Sequence, residues 1–162
     1  MALSVGDKAP DFELSTIGAD GPELVKLSAQ DSNVLLLFVP MAYTGVCTEE
    51  LCSVTQGLDA YEGLNAKVLA ISGDNPFAQQ AWAEKEGIKL TLLSDYEHEA
   101  AKAYGIAYDS FLPDLNLPMG GVAKRSAFIV DKEGTIQYAE SSDDPKQLPD
   151  FDAIKAKLGE LG

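Results

Sequence analysis

The sequence predicts an α/β protein built on a central mixed sheet, with helices on both faces and a β-hairpin at its N-terminus. Three observations carry that expectation. Residues 34–39, Val-Leu-Leu-Leu-Phe-Val, are apolar at every position, as a strand covered on both faces must be, and Pro40 stops the run. Beyond it, strand-like and helix-like segments alternate through Tyr104. The chain then ends in two short strands joined by a tight turn and in an amphipathic helix.

Taken in order, residues 12–14 and 23–27 flank a Gly- and Pro-bearing turn and suggest the hairpin. Residues 44–65 set Val46, Leu51, Val54, Leu58 and Tyr61 on one helical face, with Gly57 and Gly63 marking bends or its end. A second buried strand is expected at 67–72, followed by a helix over 76–86. Pro76 suits its first turn and Gly87 its stop. A short strand at 90–93 leads to Ser94 or Asp95 as the cap of a helix through Tyr104, ended by Gly105. Residues 106–122 contain two prolines and two adjacent glycines without a clear period, and read as a long loop near an active site or a partner surface. Strands at 126–130 and 135–139 are joined through Asp131-Lys132-Glu133-Gly134. The final helix, over 151–161, turns Phe151, Ile154 and Leu158 inward.

A length of 162 residues suits one domain spanning 1–162 and suffices for a buried core. With 46% apolar and 23% charged residues and only 8 prolines, the composition is that of a soluble globular chain. The 12 basic and 26 acidic residues give a formal charge of -14, which repels polyphosphate and anionic lipid, so nucleic acid is not an expected partner. The acidic excess is spread along the chain and reads as a solubilising surface. No basic segment followed by an apolar run opens the chain, and no stretch approaches ~18 apolar residues, so neither secretion nor membrane insertion is expected. Two cysteines do not make a disulfide scaffold; a reducing cytoplasm is the natural setting, and each thiol is a candidate for chemistry.

The segment from Pro40 to Cys52 joins the buried strand to a helix. In an α/β sheet such a junction lies at the carboxyl ends of the strands, where ligands bind. Cys47 falls in the first turn of that helix, where unpaired N–H groups and the positive dipole end favour a thiolate, the nucleophilic form. The other candidates read more plainly. Cys52 in isolation resembles a small core hydrophobe. Trp82, at helical spacing from Ala78 and Lys85, reads as a core or interface aromatic. His98, between Glu97 and Glu99 on an expected helix, reads as a solvated surface residue and a poor general base. A zinc site from Cys47, Cys52 and His98 would lack a fourth ligand and the compact Cys-x-x-Cys knuckle. No metal or organic cofactor is called for.

At this point the residues match a family. Pro40-x-x-x-Thr44-x-x-Cys47 resembles the active-site loop of the peroxiredoxins, and Arg125 resembles their partner arginine. Val5-Gly6-Asp7-Lys8-Ala9-Pro10-Asp11-Phe12 is similar to the family's opening, Leu92-Leu93-Ser94-Asp95 to its third core strand and cap, and Arg125-Ser126-Ala127-Phe128-Ile129-Val130-Asp131 to its late strand. The resemblance implies a thioredoxin-like fold and a thiol peroxidase acting on hydrogen peroxide and organic hydroperoxides. Cys47 would be the peroxidatic cysteine, becoming a sulfenic acid as water or an alcohol leaves. Arg125 would hold the thiolate and the charge developing on the peroxide oxygens. Thr44 would offer its hydroxyl to the substrate, and Pro40 would shield the sulfur without adding an N–H. Glu50 resembles the family's acidic residue that orients the arginine, although a glutamate in the first turn of a helix needs no function.

The resemblance divides at Cys52. The Cys-x4-Cys spacing is similar to the bacterioferritin-comigratory-protein branch, where the second thiol condenses with the sulfenic acid. Thr44-Gly45-Val46-Cys47, Leu92-Leu93-Ser94-Asp95-Tyr96 and Tyr104-Gly105 resemble the alkyl hydroperoxide reductase E-like branch, which generally lacks that cysteine. In an intact helix residues five apart are ~8 to 9 Å apart between Cα atoms, whereas a disulfide usually needs less than ~7 Å. An intramolecular disulfide therefore requires the helix to unwind, with Gly45 and Gly57 as places for the chain to give. The alternatives are a one-cysteine cycle recycled by an external thiol, a thioredoxin-like disulfide reductase, disfavoured by the wide spacing, and a redox sensor or holdase. A thioredoxin-like or other small dithiol protein is the expected reductant. The chain is expected as a monomer or as a homodimer built on Met41, Tyr43 and Trp82.

Overall fold

The computed structural model describes residues 2–162. In chain order its strands and α-helices are β1 (Glu13–Gly18), β2 (Gly21–Lys26), β3 (Asn33–Phe38), α1 (Gly45–Gln56), α2 (Leu58–Gly63), β4 (Ala66–Ser72), α3 (Pro76–Glu86), β5 (Thr91–Ser94), α4 (Glu99–Ala103), β6 (Ser126–Val130), β7 (Ile136–Ser141) and α5 (Phe151–Leu161). Among the described residues the strands form one seven-stranded sheet in the order β2-β1-β5-β4-β3-β6-β7. β3 runs parallel to β4 and antiparallel to β6. The mixed sheet with an N-terminal hairpin expected from the sequence is thus the architecture observed.

Every residue of β3 is buried because both faces of the sheet are covered. Leu35, Leu37 and Val39 point into a core with Leu51 and Val54 of α1, Tyr61 of α2, Trp82 of α3, and Ile154 and Leu158 of α5. Leu36 and Phe38 point the other way, into a core with Ala100 and Ala101 of α4, Tyr104, Ile106 and Phe128. There the rings of Phe38, Tyr104 and Phe128 lie 5.2 to 6.0 Å apart, a tilted and edge-on trio of the kind aromatic quadrupoles favour. Burying each leucine of β3 contributes about 1.5–3 kcal/mol, which is why this apolar run sits at the centre of the sheet.

The register of β3 decides what meets at its end. Phe38 pairs with Ile71 of β4 on one side and with Ser126 of β6 on the other. Residues that follow Phe38 and residues that precede Ser126 therefore emerge at the same end of these two neighbouring strands. Pro40 to Cys47 and Arg125 arrive there from opposite directions along the chain.

Several elements differ from expectation for identifiable reasons. The helix expected over 44–65 is broken at Gly57, whose N–H turns back to the Ser53 and Val54 carbonyls, so α1 and α2 are separate. α4 is shorter than expected and begins at Glu99, because His98 takes a left-handed φ of 60°. Asp95 still serves as its cap, reaching across the turn to accept from Ala100 N–H at 3.0 Å and Ala101 N–H at 2.9 Å. His98 is half-buried and not simply solvated: its ring lies so close to Gly73 and Gly121 that a Cβ on either would stand 2.4 or 2.9 Å from it. The 106–122 loop folds into an irregular hairpin through the bridges Ala107–Ala123 and Phe111–Met119. α3 has the expected bounds, with Asn75 accepting from Ala78 N–H and Gly87 left-handed at its end.

Candidate active site

Beyond β3 the chain turns sharply. The Ala42 N–H donates to Asp74 Oδ2 at 2.7 Å, and Tyr43 takes a left-handed φ of 65°, a conformation that costs a side-chain-bearing residue on the order of 1 kcal/mol. Asp74, which also accepts from the Ser72 hydroxyl at 2.7 Å, offsets that strain and anchors the turn to the end of β4. Thr44 is the N-cap residue of α1, but its hydroxyl makes no cap bond and donates instead to the Met41 carbonyl at 2.8 Å. With that proton committed, the Thr44 oxygen retains only acceptor capacity. Pro40 is buried beside this turn.

Cys47 lies in the first turn of α1 and is fully buried in the core shared with Leu51 and Trp82. The N–H groups of a first helical turn have no partner within the helix, so the sulfur sits where the backbone is electropositive. The Arg125 Nη2 donates to Cys47 Sγ at 3.2 Å, its Nη1 to Glu50 Oε1 at 2.9 Å, and its Nε to the Pro145 carbonyl at 2.9 Å. Burial works against the guanidinium charge, but Cys47 and Glu50 together hold Arg125 above its ordinary pKa. Glu50 is fully buried and its second oxygen has no partner. Burial therefore outweighs the attraction of Arg125 and raises its carboxyl from the ordinary 4.5 to about 7.

Of the residues singled out in the sequence, Cys47, Arg125 and Glu50 are brought into direct contact, and Thr44 and Pro40 lie on the turn that leads to them. Cys52 faces elsewhere. Its thiol donates to the Glu86 carbonyl at 3.5 Å, both cysteines are free, and burial followed by the nearby Glu86 pushes the Cys52 pKa up. Trp82 is fully buried and donates from its indole N–H to the Thr48 hydroxyl at 3.0 Å, so it is a core residue and contributes no surface for docking. His98, between Gly73 and Gly121, is not joined to either cysteine. Two participants escaped the sequence reading. The Pro145 carbonyl is a backbone group that residue identity does not advertise, and Asp74 shows only as an acidic residue just past a strand.

Residues 5–139 match the AhpC/TSA family. The chain belongs to that family. It is 36% identical over 142 residues to the alkyl hydroperoxide reductase E of Mycobacterium tuberculosis, an alignment covering 85% of each chain. It is similar in structure to a peroxiredoxin-like protein from Aquifex aeolicus, with a TM-score of 0.85, 28% identity, and coverage of 100% of this chain and 90% of that one. Against the peroxidoxin BcpB of Mycobacterium tuberculosis the TM-score is 0.83, with 26% identity and 99% of each chain covered. The peroxiredoxin resemblance and the fold read from the sequence are therefore borne out. Among the described residues no helix is long and apolar enough to cross a membrane.

Proposed function

We propose that this peroxiredoxin reduces hydrogen peroxide and organic hydroperoxides through Cys47, assisted by Arg125, Thr44, Pro40 and Glu50. The observation that carries the reading is the guanidinium donating to a buried sulfur at a helix start, 3.2 Å away. The Cys47 thiolate attacks the terminal oxygen of the peroxide in line. An S–O bond forms, the O–O bond breaks, and the departing oxygen takes a proton to leave as water or an alcohol, with sulfenic acid left on Cys47. Arg125 has five N–H donors and three are already used, one on each nitrogen. The two that remain, one on each terminal nitrogen, are free for the peroxide oxygens as charge develops on them. Thr44, its own proton committed to Met41, accepts from the peroxide O–H. Pro40 forms a dry wall, and Glu50 aims the guanidinium.

The sulfenic acid then condenses with the Cys52 thiol, releasing water and forming a disulfide, which a thioredoxin-like or other small dithiol protein reduces to two thiols. The reading takes 1–162 as one catalytic domain working in the cytoplasm, as a monomer or homodimer. One equivalent of peroxide should remove about two mass units from the protein and abolish its free thiols, and Cys47→Ser should end peroxide consumption. Continued consumption by Cys47→Ser would refute the assignment. A specific observation favours a second reading: α1 is wound across both cysteines and Cys52 is bonded to Glu86. A stable gain of about sixteen mass units, cleared only by an added thiol, would mark that one-cysteine cycle.

A further inference from the structure

One of the three acceptors that hold Arg125 lies outside the part of the chain that matches the family. The Pro145 carbonyl receives the Arg125 Nε–H at 2.9 Å, while the match ends at residue 139. Residues 142–150 form a strap that leaves β7 and leads to α5. It is pinned at both ends: Ser142 N–H donates to the Arg125 carbonyl at 3.1 Å, and Asp150 N–H donates to Glu140 Oε1 at 3.0 Å. Between these points it is turned on itself, with Asp144 N–H donating to Ser142 Oγ at 3.1 Å and Lys146 N–H to Asp144 Oδ1 at 2.9 Å. Asp143 latches its middle. The Asp143 carbonyl accepts from the Tyr108 hydroxyl at 2.8 Å, its carboxylate meets Lys124 Nζ at 2.7 Å, and that ammonium lies 5.8 Å from the Tyr108 ring centroid.

We propose that this strap is a positioning device for Arg125, in which the latch of Tyr108 and Lys124 on Asp143 holds the Pro145 carbonyl against the guanidinium. A planar guanidinium bonded at one nitrogen can still swing about that bond. Acceptors on two of its nitrogens fix both its plane and its rotation. Glu50 supplies one and Pro145 the other, after which the third nitrogen must face Cys47 Sγ. The strap also runs beside Arg125, which is buried although it sits at the end of a strand. Because Tyr108 belongs to the 106–122 loop, the latch ties that loop to the arginine. The Lys124–Asp143 pair is solvent-exposed on its acidic side and weak by itself, so the Tyr108 hydroxyl carries the larger share.

This proposal rests on the reading of Arg125 as the group that stabilises the reacting sulfur and peroxide, and the test separates the two. The double variant Tyr108→Phe, Lys124→Met removes the latch without altering Cys47, Glu50 or Arg125. Two rates are measured at Cys47: single-turnover consumption of hydrogen peroxide, and alkylation by iodoacetamide followed on the Cys47 peptide by mass spectrometry. Both use the thiolate, but only peroxide needs donors aimed at its oxygens. The peroxide rate should fall about tenfold while alkylation stays within about twofold. Tyr108→Phe alone should shift the ratio in the same direction, and Lys124→Arg should keep the ratio of the parent protein. An unchanged peroxide rate, or both rates falling in proportion, overturns the proposal. If Arg125→Ala, measured alongside, slows peroxide attack while the latch variants do not, only the strap role fails. If Arg125→Ala is itself without effect, the underlying reading of the site fails.

Discussion

Replacing Arg125 with alanine removes three hydrogen bonds at once, to Cys47 Sγ at 3.2 Å, Glu50 Oε1 at 2.9 Å and the Pro145 carbonyl at 2.9 Å. The first lies in a buried site, where one aimed donor stabilises a transition state by roughly 3–4 kcal/mol, so the second-order rate with hydrogen peroxide should fall by about 10²–10³. Arg125→Lys keeps the charge but carries its donors on a single nitrogen, which cannot span a carbonyl, a carboxylate and a sulfur together. It should recover only about tenfold of the loss. Arg125→Ala also strips Glu50 of the cation that lowers its pKa, moving that carboxyl further up and making the stability loss larger as pH rises. Stopped-flow mixing reads the rate through the fluorescence of Trp82, the sole tryptophan, whose indole is bonded to Thr48 one residue beyond Cys47. An Arg125→Ala rate within about threefold of the parent would refute the assignment, since no aimed donor in a dry site is worth so little.

Glu50→Gln tests the raised carboxyl directly. With a folded pKa of about 7 against an ordinary 4.5, the folded chain keeps a proton that the unfolded chain has released, so stability is fully present below 4.5 and is lost as pH rises through 7. Urea melts should show the parent losing about 3 kcal/mol over that window relative to the Gln variant; parallel pH profiles would count against it. Thr48→Val deletes the acceptor of the Trp82 N–H and the donor to the Thr44 carbonyl, both of which hold the first turn of α1. It should cost about 1–3 kcal/mol and, by easing unwinding, raise the ratio of disulfide to sulfinic acid at high peroxide in intact-mass spectra; an unchanged or lower ratio would argue that unwinding does not limit resolution. Asp95→Ala removes two bonds to the start of α4, neither of them to Cys47, Glu50 or Arg125. It should lower thermal stability by about 1–2 kcal/mol while leaving the peroxide rate unchanged.

The elements best anticipated from the sequence are those whose cause is local. The run at 34–39 is apolar at both parities, and only a strand covered on both faces satisfies that; α3 carries Pro76 at its start and Gly87 at its end, so its bounds follow from backbone chemistry alone. α4 was harder to delimit because its cap acts across a turn: Asp95 lies four residues before Glu99, and the left-handed His98 between them has no sequence signature of the kind glycine provides. In the site, Cys47 was legible from its place at a strand-to-helix junction, and Arg125 from the resemblance to the peroxiredoxins. Glu50 was not decidable, since a glutamate near a helix start needs no function to be there; in the structure it is the sixth residue of α1, beyond the first turn, and only the tertiary fold buries it. Trp82 was open between core and interface; its indole N–H finds a partner inside, at Thr48, which removes any need for solvent. The Pro145 carbonyl lay beyond any residue-level inference, because every residue has one.

In the proposed two-cysteine cycle, the placement of the two cysteines sets activation and recycling against each other. Cys47 benefits from α1 being wound, since the free N–H groups and the dipole exist only while the turns behind them are formed. The same winding holds Cys52 about 8–9 Å away by Cα geometry and leaves its thiol on the Glu86 carbonyl, with burial and Glu86 favouring the protonated form. A Cys52 activated in the reduced fold would gain nothing, because it could not reach the sulfenic acid. Keeping it protonated until α1 opens also spares it from oxidation. Oxidation itself weakens the wound state: once Cys47 is a neutral sulfenic acid, neither the helix start nor Arg125 faces an anion there, and the electrostatic reason for the first turn to stay formed is diminished. The side-chain bonds at Thr48 still hold that turn, beside its backbone bond to Thr44 and the core packing of Leu51. In that proposed cycle the chemistry of the first step loosens the element whose opening the second step requires.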